Sequence, residues 1–455
     1  MKRASSYILK IMGVVLCLST SCTKLLEIPD SKSQIESDIV FKDSVIATSA
    51  LLGAYYTFST VHVNVKFMSL YVDELTYPAA TGINNEYALS RLSSDNPTNQ
   101  SVWGILYSVI YQCNAILEGI NKTLNISESS KKGIIAEAKF LRGTANFYLV
   151  SFYDNIPLIP STNVSENKSV IQASRDQVYA EIIKDLNEAK NNLSTNYQGI
   201  GKVRANKFAC MALLARVYLY LERWSEAQVE ASEIINSGNY SLLSKLDDVF
   251  LANSNEAIFQ LWMNNGFLTD AAQLIPVSGS VIPNYPFSSD FVRSFESSDL
   301  RQKSWIGTNN ILVNGITSPY SYPSKYKNRT ASSTRSESIM VLRLSEQYLI
   351  RAEAFSQLGN LSAATSDLNM IRKRAGVTEI GISQSLDDCL QFIAIERRHE
   401  LFGEWAHRFL DLKRTKKLDG IIGMLKSSWK PSAKAFPIPM NELTYNNKLN
   451  QNDGY

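Results

Sequence analysis

Histidine is scarce in this chain, with three residues among 455, too few for a His-rich metal centre. His399-Glu400 opens like a zinc-binding helix motif, but the position four after His399 is Gly403, so no second histidine closes it. Cysteine is also thin. Cys17 and Cys22 lie near the N-terminus, while Cys113, Cys210 and Cys389 are far apart, odd in number and set in apolar helical patterns. An exported domain held by disulfides would carry an even, spaced set, so buried free thiols are expected. Neither a Gly-x-Ser-x-Gly elbow nor a Gly-x-x-x-x-Gly-Lys-Ser/Thr phosphate loop occurs, which removes the reaction classes those motifs mark.

A long hydrophobic run is missing too. The apolar stretch at residues 8–18 is interrupted by Lys10, and spanning a bilayer takes about 20 apolar residues. With Lys2 and Arg3 before it and Ser19-Thr20-Ser21-Cys22 after it, the stretch reads as an export signal at residues 1–21. Small residues before the cut and a Cys after it suit a lipoprotein peptidase, so Cys22 is the expected lipidation site. Leu18 sits four residues before Cys22, where three is usual. Residues 22–37 then form a Ser/Lys-rich tether, and the membrane would be reached through the lipid alone. Removing residues 1–21 leaves 43 basic against 43 acidic residues. That balance excludes the clustered positive field a nucleic-acid partner requires.

Helical periodicity fills most of the rest. Tyr107, Ile110, Asn114 and Leu117 recur at spacings of three and four, as do Ala138, Leu141, Ala145, Tyr148 and Phe152. Two segments repeat each other: Ala215, Tyr218, Trp224, Ala227 and Ile234 in the first, and Ala352, Phe355, Leu361, Ala364 and Ile371 at equal offsets in the second. Both resemble tetratricopeptide helix pairs, where small residues let two helices approach closely. Gly359 and Gly376 fit the C′ positions of the second pair. The expected fold is mainly α, with such pairs packed against an irregular, loop-rich half with short strands. Residues 240–335 supply that half: Gly, Pro, Ser and Asn rise there, and short strand-like runs appear between turns. A shorter loop of similar character covers residues 75–99. Long irregular segments in a compact protein are usually functional or disordered, and the aromatics here argue for order.

The densest charge cluster spans residues 396–414. Arg–carboxylate forks that fix helix register explain it better than an acid–base centre does, with Leu401, Phe402, Trp405 and Phe409 as core packing. This stretch resembles the C-terminal signature of the SusD/RagB family of nutrient-uptake outer-membrane lipoproteins. Residues 136–160, 291–301, 342–376 and 449–455 resemble further blocks of that family, with Asp453 where Pro is common and Ala406 where Gly is frequent. The resemblance runs from Cys22 to the last residue.

It implies a SusD-like α–α superhelix as one domain over residues 38–455. Within it, 38–240 are helical, 241–338 handle ligand, 339–420 are C-terminal helix pairs and 421–455 are a tail. It also implies a surface-exposed outer-membrane lipoprotein that binds a glycan, performs no catalysis and closes over a SusC-like TonB-dependent transporter; no cofactor or metal site is expected from the residues, and bound calcium stays open. A sugar site wants aromatic faces flanked by polar side chains. The two loops offer Tyr77, Asn84, Tyr87, Tyr285, Trp305, Tyr320, Tyr322 and Arg329 as candidate contacts. Trp103, Trp224 and Trp405 lie on helix stripes and are expected in the core. Three other readings stay open at this point: peptide uptake as in the RagB branch, a glycosidase among the carboxylates, and a structural repeat scaffold.

Overall fold

The computed structural model describes residues 40–262, 269–332 and 334–455. The export signal, Cys22 and the tether therefore lie outside the described residues. The body from Phe41 to Tyr455 forms one compact unit. Among the described residues no helix is long and apolar enough to cross a membrane.

Helices dominate. In chain order the main ones are α1 (Ser44–Val65), α2 (Pro97–Lys122), α3 (Glu128–Tyr153), α4 (Arg175–Asn192), α5 (Lys207–Tyr220), α6 (Trp224–Asn236), α7 (Leu344–Gln357), α8 (Leu361–Arg374), α9 (Leu386–Leu401) and α10 (His407–Arg414). Their starts are written in the sequence. The Asn96 side chain accepts from the backbone of Thr98 and Asn99 with Pro97 at the first helical position. Ser174 and Gln177 close a capping box on α4.

From α1 to α8, each helix packs on its successor. That includes α6 against α7, which are separated in sequence by the loop-rich segment. The repeated small residues behave as the offsets predict: Ala215, Ala227, Ala352 and Ala364 are fully buried at helix contacts. Gly359 and Gly376 take left-handed backbone after α7 and α8, with φ of 83° and 70°. The corresponding turn after α5 uses Glu222 at φ 58° instead. Helix α5 is buried along most of its length, so it reads as a continuous apolar run without a polar face. Cys113, Cys210 and Cys389 are free and buried, as expected.

Among the described residues, six short strands form three antiparallel pairs. Strands β1 (Ile156–Pro157) and β2 (Gln172–Ala173) pair beside α3. Strand β3 (Ala257–Leu261) pairs with the later β6 (Ile339–Arg343), and every residue of both is buried. Between them, β4 (Ile306–Val313) and β5 (Ile316–Pro323) make a full-register hairpin closed by Asn314-Gly315. Both turn residues have positive φ, the geometry that Asn-Gly favours in tight hairpins.

The charged stretch around residues 396–414 is structural, as the sequence suggests. Arg301, fully buried, donates to Asp299, to Glu396 at 2.5 Å and to Glu400 at 3.1 Å. Arg343 donates to Glu256 at 2.9 Å, to Glu400 at 2.5 Å and to Glu404 at 2.8 Å. Arg374 also reaches Glu400, and Lys325 pairs with Glu404 at 2.6 Å. These contacts tie the loop-rich segment to α9. Trp103 and Trp405 are core residues. Trp224 departs from expectation: it is only half-buried and lines a cleft.

Candidate functional site

The two irregular segments meet. Thr76 N–H donates to the Pro286 carbonyl at 2.8 Å, and Phe287 N–H donates to the Ser321 carbonyl at 2.8 Å. A bridge pairs Leu75 with Phe287. Residues 74–77 and 285–288 thus extend the β4–β5 hairpin into a sheet-like face. Its inner end is pinned by charge. Asp73 accepts from Arg408 at 2.7 Å and from Arg398 at 2.9 Å. Burial works against ionisation there, but the Arg408 hydrogen bonds and both guanidinium charges hold the Asp73 carboxyl below its ordinary pKa. Next to it, burial pushes the Glu74 carboxyl up.

Tyr77 stacks on Tyr285 with ring centres 5.7 Å apart and planes 15° off parallel. The Asn84 amide donates to the Tyr285 hydroxyl at 3.1 Å. Tyr77 keeps part of its ring accessible, whereas Tyr285 is 8 % exposed and presents mainly its rim. On β5, Tyr320 and Tyr322 share one face because side chains alternate along a strand. Tyr322 lies opposite Gly307, where any Cβ would come within 2.3 Å of the ring. Glycine there lets the tyrosine lie flat across the neighbouring strand. Tyr320 lies opposite Asn309, whose amide donates to the carbonyls of Ser278 and Val281 at 2.9 and 2.8 Å. Both tyrosines remain partly exposed. Arg329 is half-buried and donates to the Ala272 carbonyl at 3.1 Å, so part of its hydrogen-bonding capacity serves the loop itself.

Two expected contacts are corrected. Tyr87 is fully buried against Phe67, Tyr71 and Phe436. Trp305 is fully buried too: its indole N–H donates to the Leu246 carbonyl at 3.0 Å, and Lys325 sits 4.7 Å from the ring centre. Neither has a ring face left for a ligand. In the opposite direction, Trp262 escaped the sequence reading. It closes an apolar strand run and looks like core, yet it is 56 % exposed at the end of β3. Its position at the boundary between that run and the Asn264-Asn265-Gly266 sequence was the available signal.

None of the eight candidates lines either of two clefts on the helical side, of about 800 and 420 Å³, and Tyr77, Tyr320 and Tyr322 keep exposed surface. An open aromatic surface suits a chain polymer that no closed cavity would admit. Among the described residues no cluster of three His, Cys, Asp or Glu side chains could hold a metal ion.

Comparison with known proteins agrees with this architecture. Residues 26–219 match a SusD-like family described as starch-binding and associating with the outer membrane, and residues 294–455 match the SusD family. A SusD-like protein of Formosa agariphila is 25 % identical, covering 80 % of this chain and 81 % of that protein. The solved structure of a SusD-like protein from Bacteroides fragilis superposes with TM-score 0.78 at 20 % identity, covering 93 % of this chain and 99 % of the other. A laminarin-binding SusD-like protein superposes with TM-score 0.77 at 25 % identity over 90 % of this chain and 99 % of its own.

Proposed function

The chain belongs to the SusD/RagB family of outer-membrane-associated proteins, and we propose that it captures a glycan at the cell surface and passes it to a SusC-like TonB-dependent transporter. Family members bind without catalysis, so the chain is a binding protein and not an enzyme. The observation that carries the glycan reading is the meeting of two loops, about 200 residues apart, in the stacked Tyr77–Tyr285 pair with the Asn84 amide on the Tyr285 hydroxyl. Sugar rings pair apolar C–H faces with hydroxyl rims, which such a surface matches. A structurally similar relative that binds laminarin adds support. In this reading the lipid on Cys22 and the tether at residues 22–37 anchor a body that closes over the transporter as a lid.

Affinity electrophoresis tests the reading. The protein should be retarded in a gel containing laminarin or another neutral polysaccharide. Tyr77→Ala and Tyr320→Ala should each weaken retention, by about 0.5–1.5 kcal/mol for one lost aromatic contact. Full retention by the double variant would remove these residues from the site. Retardation by no polysaccharide, with binding to mixed peptides instead, would replace the glycan by a peptide. Co-purification of a barrel-sized membrane protein with the lipidated chain tests the transporter partnership.

A further inference from the structure

The larger cleft, about 800 Å³, opens between α9, α10 and the turn that joins α5 to α6. Its volume falls within the roughly 300–1,000 Å³ of small-molecule sites. Deep in it lies Arg397, 2 % exposed. The Arg397 Nε donates to Asp411 at 2.8 Å, while Nη1 and Nη2 meet no acceptor. Tyr220 also lines the cleft, and its hydroxyl is buried without a hydrogen-bond partner. Buried donors in folded proteins are nearly always paired, and leaving one unmade is costly. Trp224 stands half-buried on the wall, and Gln391 is exposed at the rim.

Charge selects the ligand class. The lining carries five basic and five acidic side chains. At the floor, Arg397 and Arg414 share Asp411, and Arg414 also forks onto Glu353 at 2.6 and 2.7 Å. Two guanidinium groups are thus already balanced by two carboxylates. A ligand carboxylate would be repelled by Asp411, whereas a neutral hydroxyl can accept from Arg397 without that cost. Neutral hydroxyls and an apolar ring face for an indole are what a sugar presents.

We propose that this cleft is a second, enclosed saccharide site that takes one or two units of a neutral sugar, with its hydroxyls on Arg397 and Tyr220 and a ring face on Trp224. The choice of a sugar as ligand rests in part on the glycan function above, but none of the eight candidate contacts of the loop face lines the cleft. Isothermal titration with glucose, galactose, mannose and laminaribiose tests it, with glucuronate as the anionic probe. At least one neutral sugar should bind saturably in the millimolar range or tighter. Ala394→Trp, an exposed position on the cleft wall, fills the space without touching the buried ion pairs and should abolish that binding. Arg397→Lys keeps the charge but loses the two-pronged edge, and should weaken binding roughly tenfold. Thermal melts establish that each variant is folded, and Ala394→Trp decides the matter if Arg397→Lys is not. No saturable binding of any neutral sugar to the unmodified protein would overturn the proposal. So would tighter binding of glucuronate, survival of binding in Ala394→Trp, or loss of it in Tyr77→Ala. Polysaccharide retention reads the loop face and small-sugar heat reads the cleft, so either can fail alone.

Discussion

Glu400 has no exposure of its own and accepts from Arg301 and Arg343. Removing its charge would leave those guanidinium groups underpaired in a water-excluded site. Glu400→Gln should therefore destabilise the fold by about 3–5 kcal/mol, measured as a lowered denaturant midpoint. His399 behaves differently. It stacks on Phe295 and shares a 2.8 Å hydrogen bond with Ser294, and burial, reinforced by Arg301 and Arg398, pushes its pKa down to about 3. An unfolded histidine takes up a proton below about pH 6.5, which the folded one refuses until about pH 3. The unfolded chain binds more protons across that window, so stability rises with pH and is lost as pH falls from 6.5 towards 3. The slope is up to about 1.4 kcal/mol per pH unit for one such group, and His407, lowered by burial as well, adds to it. His399→Asn should flatten the melting-temperature profile between pH 6.5 and 5, and an unchanged profile would assign the slope elsewhere. The pairing of Tyr77 with Tyr285 follows a signal legible in sequence, since aromatics among Gly, Pro, Ser and Asn mark ordered loops. Tyr87 and Trp305 look the same in sequence. What buries Trp305 is a set of partners including Leu246, Lys325 and Arg343, which local sequence does not connect to it.

Helix pairs are the elements that sequence reveals best, since their contacts repeat at fixed short offsets. The pairs α5–α6 and α7–α8 differ at one telling place: Gly359 closes the first helix of one, and Glu222 holds the same left-handed turn in the other. Gly359→Ala should cost about 1 kcal/mol through its positive φ, seen as a lower melting temperature with unchanged helical content. A neutral result would mean the turn relaxes without penalty. Strand pairing was less legible. β3 and β6 are partners separated by some 80 residues, with both faces buried, so their alternation is lost and a short apolar run is ambiguous between strand and helix. The meeting of Leu75, Phe287 and Ser321 is wholly non-local. Nothing in those three stretches names the others.

At the scale of the whole molecule, the helical scaffold continues from α6 to α7 as though residues 240–338 were absent. The chain leaves the scaffold along β3 and returns along β6, its immediate neighbour, with Leu261 opposite Ile339. A segment whose ends are clamped side by side can change length cheaply, since doubling a loop costs only about 0.6 kcal/mol in closure entropy. The loop-rich segment is therefore an exchangeable cassette, and if it handles ligand as proposed, grafting a relative's version between residues 262 and 338 should retarget binding while the helices keep their stability. One condition governs the exchange. Asp299 and Arg301 belong to the cassette, whereas Glu396 and Glu400 belong to the scaffold. A graft lacking that arginine would take one buried guanidinium from Glu396 and Glu400 and leave them to Arg372, Arg343 and Arg374, so chimeras that retain it should melt at higher temperature than those that lose it. Variation in such a segment is free on the loop surface and constrained where Arg301 and Lys325 meet the buried carboxylates of the scaffold.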